Sequence, residues 1–181
     1  MQPNKNYFVF LIIMMEESVY YNSPIGVLQI KSSGDAISCV SFLSNEHPQP
    51  APNVSFTKPS SKTIKDCIRQ LDEYFAGKRF DFELELNQPG TDFQQQVWNA
   101  LLDIKFGKTS SYLALSRRLG NEKAIRAVGT ANGRNNIAII VPCHRVIGTN
   151  GKLVGYGGGL WRKQWLLEHE GKFANGVQSL F

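Results

Sequence analysis

The sequence predicts an α/β protein built from a small α/β N-terminal domain and a mostly helical C-terminal domain. We expect the second domain to contain a helix-turn-helix and a short active-site strand. Strand-like runs separated by turn residues fill the first half, whereas apolar residues at helical spacing dominate the second. Residues 87–90, with the sequence NQPG, mark the boundary, so that the predicted domains are residues 1–88 and 89–181.

The charge distribution also separates the two halves. Residues 1–88 carry 8 Lys and Arg against 10 Asp and Glu, a net charge of −2, whereas residues 89–181 carry 12 against 5, a net charge of +7. Hydrophobic residues make up 42% of the 181 residues, which is enough for a packed core and argues against disorder. The basic second half indicates either a polyanionic partner or simply a solvated basic surface.

Several protein classes are excluded by the sequence. The longest apolar run, residues 8–15, is too short to span a bilayer, and only Lys5 precedes it, without a later cleavage site of small residues. We therefore expect no membrane association. Cys39, Cys67 and Cys143 are too sparse for a disulfide scaffold, which favours a reducing, cytoplasmic location. Cysteine and histidine are not spaced as zinc ligands, so no metal is expected.

The first half predicts strands and one helix. Residues 18–43 form three strands in this interpretation, with hairpin turns at 22–26 and 32–35. Residues 45–59 contain four prolines and are predicted to form a loop. The alternating sequence FDFELEL at 80–86 predicts a further strand. Between these, serines 60 and 61 cap a helix that ends at Gly77 and buries Ile64, Ile68, Leu71 and Phe75. Cys39 and Cys67 are interpreted as core residues.

Three helices are predicted directly after the boundary. Thr91 or Asp92 caps the first, which ends at Gly107 and whose apolar face comprises Phe93, Val97, Leu101 and Ile104. The second covers about 111–119, and Asn121 caps a third over about 122–132. Two short helices joined by a tight Gly-Asn turn resemble a helix-turn-helix, although many helical pairs have the same pattern.

The third helix carries the candidate DNA-binding residues. Basic side chains alternate there with small ones that would let a partner approach the backbone closely. The candidates are Lys123, Arg126, Thr130, Ala131, Gly133 and Arg134.

A cysteine follows the next apolar run. Residues 137–141, IAIIV, predict a short buried strand that leads to Pro142, Cys143 and His144. An imidazole can activate a thiol nucleophile, but neighbouring side chains on a strand point to opposite faces. The pair would therefore need a turn at Pro142 or a bridging water, and Glu170 is a candidate to orient the imidazole. The alternative is an inert buried cysteine beside a histidine. A glycine-rich stretch follows, and the last predicted helix covers about 160–169.

These segments together carry a specific resemblance. IAIIVPCHRVIG, with RAVGTANGRN before it and GYGGGLWRKQWLLEHEG after it, closely resembles the O6-alkylguanine-DNA alkyltransferases, also called methylated-DNA–protein-cysteine methyltransferases. The resemblance covers about residues 87–172, and the first half is similar to the variable N-terminal domain of that family only loosely. It implies a monomer that irreversibly transfers the alkyl group of O6-alkylguanine, and of O4-alkylthymine, in double-stranded DNA to its own cysteine, once per molecule and without a cofactor.

The resemblance also implies individual roles. Cys143 would accept the alkyl group, His144 would activate it through a water, and Glu170 would orient His144. Tyr112 would donate a proton to guanine N3. Arg126 would fill the place of the nucleotide that is flipped out of the duplex.

The substrate pocket is implied in the same way. Asn135 would brace the turn before the active-site strand, and the Val141 carbonyl would accept a hydrogen bond from the guanine amino group. Tyr156, Gly157 and Gly158 would form one wall.

The chain departs from the family at two pocket positions. Asn136 stands where many relatives have proline, and Ala138 where some do, which predicts a pocket less closed over a bulky benzyl group. The sequence also lacks a set of residues matching the structural zinc ligands of some relatives.

Three rival functions are considered. A non-enzymatic, alkyltransferase-like lesion-binding protein would share the scaffold but lack the acceptor cysteine, which is present here as Cys143. A cysteine hydrolase would turn over, and the basic second half suits it poorly. A helix-turn-helix transcription regulator would not require the cysteine.

Overall fold

The computed structural model describes residues 16–44 and 55–174. Its N-terminal part is a three-stranded antiparallel sheet in the order β1 (Glu16–Ser23), β2 (Gly26–Ser33) and β3 (Ala36–Phe42). One helix, α1 (Lys62–Phe75), packs on this sheet. The three strands and the helix are therefore confirmed. Expectations about the apolar run at 8–15, most of the proline-rich loop and the end of the chain lie outside the described residues.

The sheet and α1 enclose the first part of the core. Ile30 pairs with Val19 on one side and with Val40 on the other, and the register shifts between Lys31 and Ser32. The strands contribute Val19, Leu28, Ile30, Ile37 and Val40 to the core, and α1 contributes Ile64, Cys67, Leu71 and Tyr74. Burial raises the pKa of the Cys67 thiol to about 12, in agreement with its interpretation as a core residue.

The start of α1 is stabilised by two side chains. The Ser61 hydroxyl accepts a hydrogen bond from the Ile64 amide at 3.2 Å, as expected of a cap. The Glu17 carboxylate, from β1, accepts bonds from the backbone amides of Ser60 and Ser61 at 2.6 and 2.9 Å. Glu17 therefore joins the sheet to the positive end of the helix.

The prediction of a strand at 80–86 is wrong, because the segment forms only one isolated bridge to the sheet. Only Leu86 forms a bridge, parallel to Ile37. The backbone of Glu83 instead bonds to the Gln70 side chain of α1, which accepts from its amide at 2.8 Å and donates to its carbonyl at 2.9 Å. The Gln70 side chain therefore satisfies the backbone of Glu83, and pairing with a strand is confined to the end of the segment.

The C-terminal part is mostly helical, as predicted. Its helices are α2 (Asp92–Leu102), α3 (Tyr112–Arg118), a 3₁₀ helix (Glu122–Ala124), α4 (Ile125–Gly133) and α5 (Leu160–Ala174). The short strands β4 (Ser110–Ser111) and β5 (Val146–Ile147) pair in parallel. Thr91 forms a capping box with Gln94, and the Asn121 side chain accepts from the Lys123 amide. Within the described ranges, no helix is long and apolar enough to cross a membrane.

Two helix ends differ from the prediction. Helix α2 ends at Leu102 rather than at Gly107, and α5 continues beyond His169 to Ala174. The extension of α5 has a packing reason, because its last turn covers two glycines. A β-carbon at Gly77 would lie 2.3 Å from the Phe173 ring, and one at Gly107 would lie 2.3 Å from the Ala174 β-carbon.

The predicted active-site strand at 137–141 is also wrong, because this run is a tight turn. Ile139 has a φ of +72°, which is unusual for a β-branched residue, and the Val141 amide bonds to the Ile137 carbonyl at 3.0 Å. Only Ile137 keeps a strand-like contact, a bridge to Val40 of β3. The buried apolar run is therefore held by the surrounding structure and by the sheet of the N-terminal half.

The Glu17 contact generates a prediction about stability and pH. The pKa of Glu17 is lowered from 4.5 to about 2, chiefly by the bond from the Ser60 amide. Its contribution to stability is therefore present above pH 4.5 and is lost as the pH falls towards about 2. We expect Glu17→Gln to lower the melting temperature at neutral pH, and the difference from wild type to shrink with acidification.

Thermal unfolding across this pH range measures the effect. Glu16→Gln, at an exposed neighbouring position on β1, is the control and should change little. An equal Glu17→Gln effect at both ends of the range would contradict the assignment.

Candidate active site

Cys143 begins a short 3₁₀ helix (Cys143–Arg145) directly after the turn and Pro142. Its side chain is 5% exposed, and its sulfur accepts a hydrogen bond from Nδ2 of Asn135 at 3.0 Å. Burial raises the pKa of the thiol, while the Asn135 bond and the nearby Lys163 charge oppose that rise. The cysteine therefore rests mainly as a thiol and needs a base to become a nucleophile.

His144 lies against Glu170, as the sequence analysis expected. Nε2 of His144 is 2.8 Å from Oε1 of Glu170, and both side chains are fully buried. An ionised carboxylate only accepts, so Nε2 carries the hydrogen and Nδ1 has the free lone pair. Among the described residues Nδ1 has no hydrogen-bond partner. Burial lowers the pKa of His144 despite the opposing hydrogen bond and charge of Glu170, which keeps the imidazole neutral and the Nδ1 lone pair free.

Glu170 is held by more groups than the sequence analysis found. Arg145 donates to both carboxylate oxygens, from Nε to Oε2 and from Nη2 to Oε1, each at 2.9 Å. The Tyr74 hydroxyl donates to Oε1 at 2.9 Å, and the Gly107 amide donates to Oε2 at 3.1 Å. Burial alone would raise the pKa of Glu170, but the bonds from His144 and Arg145 hold it well below its ordinary value.

The sequence could have indicated Arg145 as a partner of Glu170, but not Tyr74. Arg145 follows His144 directly, and a buried arginine requires an acceptor, so the PCHR sequence contains a local signal. Tyr74 lies on α1 in the other half of the chain, 96 residues from Glu170, and no local pattern indicates the contact.

Asn135 connects the turn to the thiol. Its Nδ2 donates to the Val141 carbonyl at 2.8 Å as well as to the sulfur, and its Oδ1 accepts from the Ile137 amide at 3.0 Å. Gln88, from the predicted domain boundary, donates to the same oxygen at 3.0 Å. Val141 is buried with its carbonyl already bonded, and that oxygen retains a second lone pair for another donor.

The thiol opens into a cavity of about 320 Å³. One wall is the predicted one, formed by Tyr156, Gly157 and Gly158, and Asn135 lies on the cavity as well. A second part of the lining was missed by the sequence analysis, because it comes from the end of β3 in the N-terminal half. That part consists of Val40, Ser41 and Phe42.

A second cavity of about 520 Å³ adjoins the first and is lined by the helix-turn-helix. Arg126, Thr130 and Gly133 of α4 lie on it with Tyr112, and Gly133 and Tyr156 line both cavities. Lys123, Arg126, Thr130, Gly133 and Arg134 are all exposed on this surface or next to it.

One predicted DNA-binding residue is corrected by the structure. Ala131 is only 2% exposed and faces the core, where its carbonyl accepts a hydrogen bond from Nε1 of Trp98 at 2.9 Å. Helical periodicity places it on the same face of α4 as Val128, which is fully buried.

Tyr112 starts α3 next to the glycine-rich loop. Its hydroxyl donates to the Val154 carbonyl at 3.1 Å, and the Lys163 ammonium donates to the same oxygen at 2.8 Å. Burial and the nearby Cys143 raise the pKa of Tyr112, so the phenol stays protonated. Burial lowers the pKa of Lys163 to about 8.

Across residues 16–44 and 55–174, His, Cys, Asp and Glu side chains form no group of three or more suited to a metal ion.

Two family models match the chain. Residues 18–88 match the ribonuclease-like domain of 6-O-methylguanine DNA methyltransferase, and residues 92–172 match its DNA-binding domain. Among curated proteins, the methylated-DNA–protein-cysteine methyltransferase of Mycobacterium bovis is 46% identical over 160 residues, 88% of this chain and 95% of that protein. The protein of the same name from Methanosarcina acetivorans is 44% identical over 151 residues, 83% of this chain and 96% of that protein.

Solved structures agree with these relatives. The crystal structure of Mycobacterium tuberculosis O6-methylguanine methyltransferase matches with a TM-score of 0.76 at 42% identity, covering 92% of this chain and 99% of that one. A structure of M. tuberculosis OGT in complex with DNA matches with a TM-score of 0.75 at 45% identity, covering 86% and 93%. With matches of this extent to both halves, the chain belongs to the methylated-DNA–protein-cysteine methyltransferase family.

Proposed function

We propose that this protein repairs double-stranded DNA by moving the alkyl group of O6-alkylguanine, and of O4-alkylthymine, irreversibly to Cys143. The observation that carries the proposal is a cysteine at the inner end of a cavity, followed in sequence by a histidine that is bonded to a buried carboxylate. The relatives are named as methyltransferases that act on methylated DNA or O6-methylguanine, which supports the same reaction. The residues of the cavity need no cofactor for it.

The transfer begins at the thiol. Its proton passes through a water to Nδ1 of His144, and the resulting imidazolium is stabilised by the Glu170 carboxylate. The Cys143 sulfur then attacks the alkyl carbon, so that an S–C bond forms while the C–O6 bond breaks and its electron pair remains on O6.

Tyr112 completes the proton balance. Its phenol donates a proton to guanine N3, so that the base leaves neutral. The positive charge of the His144 imidazolium then balances the negative charge of the Tyr112 phenolate. The product on Cys143 is a stable thioether, which no group in the site can cleave. Each molecule therefore acts once.

The substrate base has to leave the duplex, because O6 cannot reach a buried thiol while the base is stacked. Arg126 is exposed on α4 beside the second cavity, where it can take the place of the extruded nucleotide. Lys123, Thr130, Gly133 and Arg134 would contact the DNA next to it, and the net charge of +7 of residues 89–181 favours phosphate binding.

The acceptor cysteine also bears on where the protein works in the cell. The acceptor must stay reduced, and all three cysteines are free in the structure. We therefore propose a cytoplasmic location. We also propose that the protein acts as a monomer, because one chain supplies the thiol, the histidine and the carboxylate of the site.

Intact-protein mass spectrometry tests the acceptor. After incubation with a duplex that contains O6-methylguanine, we expect the mass to increase once by one methylene unit. The increase should disappear in Cys143→Ala and persist in Cys39→Ala, the control at a half-buried cysteine. An unchanged wild-type mass together with tight binding of the duplex would identify a lesion-binding protein instead.

The role of Arg126 is tested by comparing two substrates. We expect Arg126→Ala to slow transfer from duplex DNA by about tenfold or more, since extruding a base costs a few kcal/mol. Transfer from O6-benzylguanine as a free base should change little, because nothing has to be extruded. Arg69→Ala, at an exposed position on α1, is the control. Equal losses on both substrates would rule out this role.

Tyr74 is expected to support the carboxylate without being essential to it. Tyr74→Phe removes one of several hydrogen bonds to Glu170 and should lower the free energy of unfolding by about 2 kcal/mol. Transfer should persist because His144 and Arg145 still bind the carboxylate. Urea unfolding and the transfer rate measure the two effects, with Tyr20→Phe as control. Complete loss of transfer in a folded Tyr74→Phe variant would contradict this view.

A further inference from the structure

The end of β3 is part of the cavity that contains the acceptor thiol. Phe42, the last residue of β3, lines this cavity next to the glycine-rich wall. A β-carbon built on Gly158 would lie 2.6 Å from the Phe42 ring, so only glycine permits this approach. The ring also meets Tyr156 edge-on, with the centroids 6.5 Å apart. Phe42 therefore packs directly on the wall of the pocket.

The guanidinium of Arg162 packs against the Phe42 ring. Its guanidinium carbon lies 4.2 Å from the centroid of Phe42 and 4.3 Å from that of Trp161, and the side chain is fully buried. A desolvated guanidinium between two rings makes strong cation–π contacts. These contacts restrict the movement of Phe42 towards or away from the cavity.

The same guanidinium also joins the N-terminal half to the glycine-rich wall of the cavity. It donates to the carbonyls of Ile25 and Ser44 in the N-terminal half and to the Gly158 carbonyl in the glycine-rich wall, each at 2.6 Å. One buried cation therefore sets the distance between Phe42 and Gly158.

Backbone contacts fix β3 nearer to the thiol. The Val40 amide donates to the Asn136 carbonyl, and the Ala138 amide donates to the Val40 carbonyl, both at 2.8 Å. Asn136 also donates from its side chain to the Ser38 carbonyl at 3.3 Å. Phe42 consequently has a defined position relative to the turn that leads to Cys143.

We infer that Phe42, held by Arg162, is the residue of the N-terminal sheet that limits the size of the alkyl group accepted by Cys143. This inference rests on the proposed function. An alkyl group in position for attack must occupy the cavity that the thiol and the Phe42 ring share. The ring thereby closes, from the sheet side, a pocket that Asn136 and Ala138 were predicted to leave open.

The test compares two substrates in the same protein. Single-turnover rate constants are measured on duplexes with O6-methylguanine and with O6-benzylguanine, and their ratio is compared among variants. Phe42→Ala should raise the benzyl-to-methyl ratio by about tenfold, the scale on which apolar pockets discriminate by size. Phe42→Trp should lower it. Because both rates come from one preparation, any unfolded fraction cancels in the ratio.

Two further variants complete the design. Phe42→Leu is a milder change that should raise the ratio less than alanine while preserving an apolar contact with Arg162. Leu43→Ala is the control, because Leu43 follows Phe42 but is 38% exposed and lies outside the cavity lining, so the ratio should stay at the wild-type value.

The outcomes separate the inference from the proposed function. A wild-type protein that transfers both groups, with the same ratio in all three Phe42 variants, overturns the inference and leaves the function intact. A wild type that transfers neither group to Cys143 overturns both. Opposite shifts in the alanine and tryptophan variants support the assignment.

Discussion

The buried carboxylate of Glu170 is the group on which the rest of the structure depends. An unpaired charge in this position would cost several kcal/mol, so the chain has to bring donors to it from distant segments. Tyr74 comes from α1, the Gly107 amide from the loop after α2, and His144 and Arg145 from the segment of the acceptor cysteine. The carboxylate therefore links the helix of the N-terminal half, the loop before the helix-turn-helix and the reactive segment in one cluster.

The same cluster determines the protonation states of the site. Since Glu170 stays ionised, His144 donates through Nε2 and its Nδ1 lone pair remains free, while burial keeps its pKa low. Burial also keeps Cys143 protonated until a base acts on it. A thiol that stays protonated at rest reacts slowly with other electrophiles, which matters for a residue that can react only once.

The N-terminal half contributes to the site directly, although its charge and architecture differ from those of the second half. Tyr74 reaches the carboxylate, Val40 pairs with the turn before the cysteine, and Phe42 lines the acceptor cavity. In the other direction, Arg162 of α5 donates a hydrogen bond to the Ile25 carbonyl in the N-terminal half. The two parts therefore act as one structural unit around the thiol, even though each matches its own family model.

Local sequence determined the features that depend on neighbouring residues: the caps at Ser61 and Thr91, the helix-turn-helix, the basic second half and the reactive segment around Cys143. Long-range contacts decided the rest, because no neighbouring residue reports them. Residues 80–86 alternate like a strand, but a side chain of α1 binds the backbone of Glu83 and only Leu86 bridges to β3. Residues 137–141 are apolar like a buried strand, yet Asn135 and β3 hold them in a turn with a positive φ. The pocket wall formed by β3 likewise exists only once the two halves pack together.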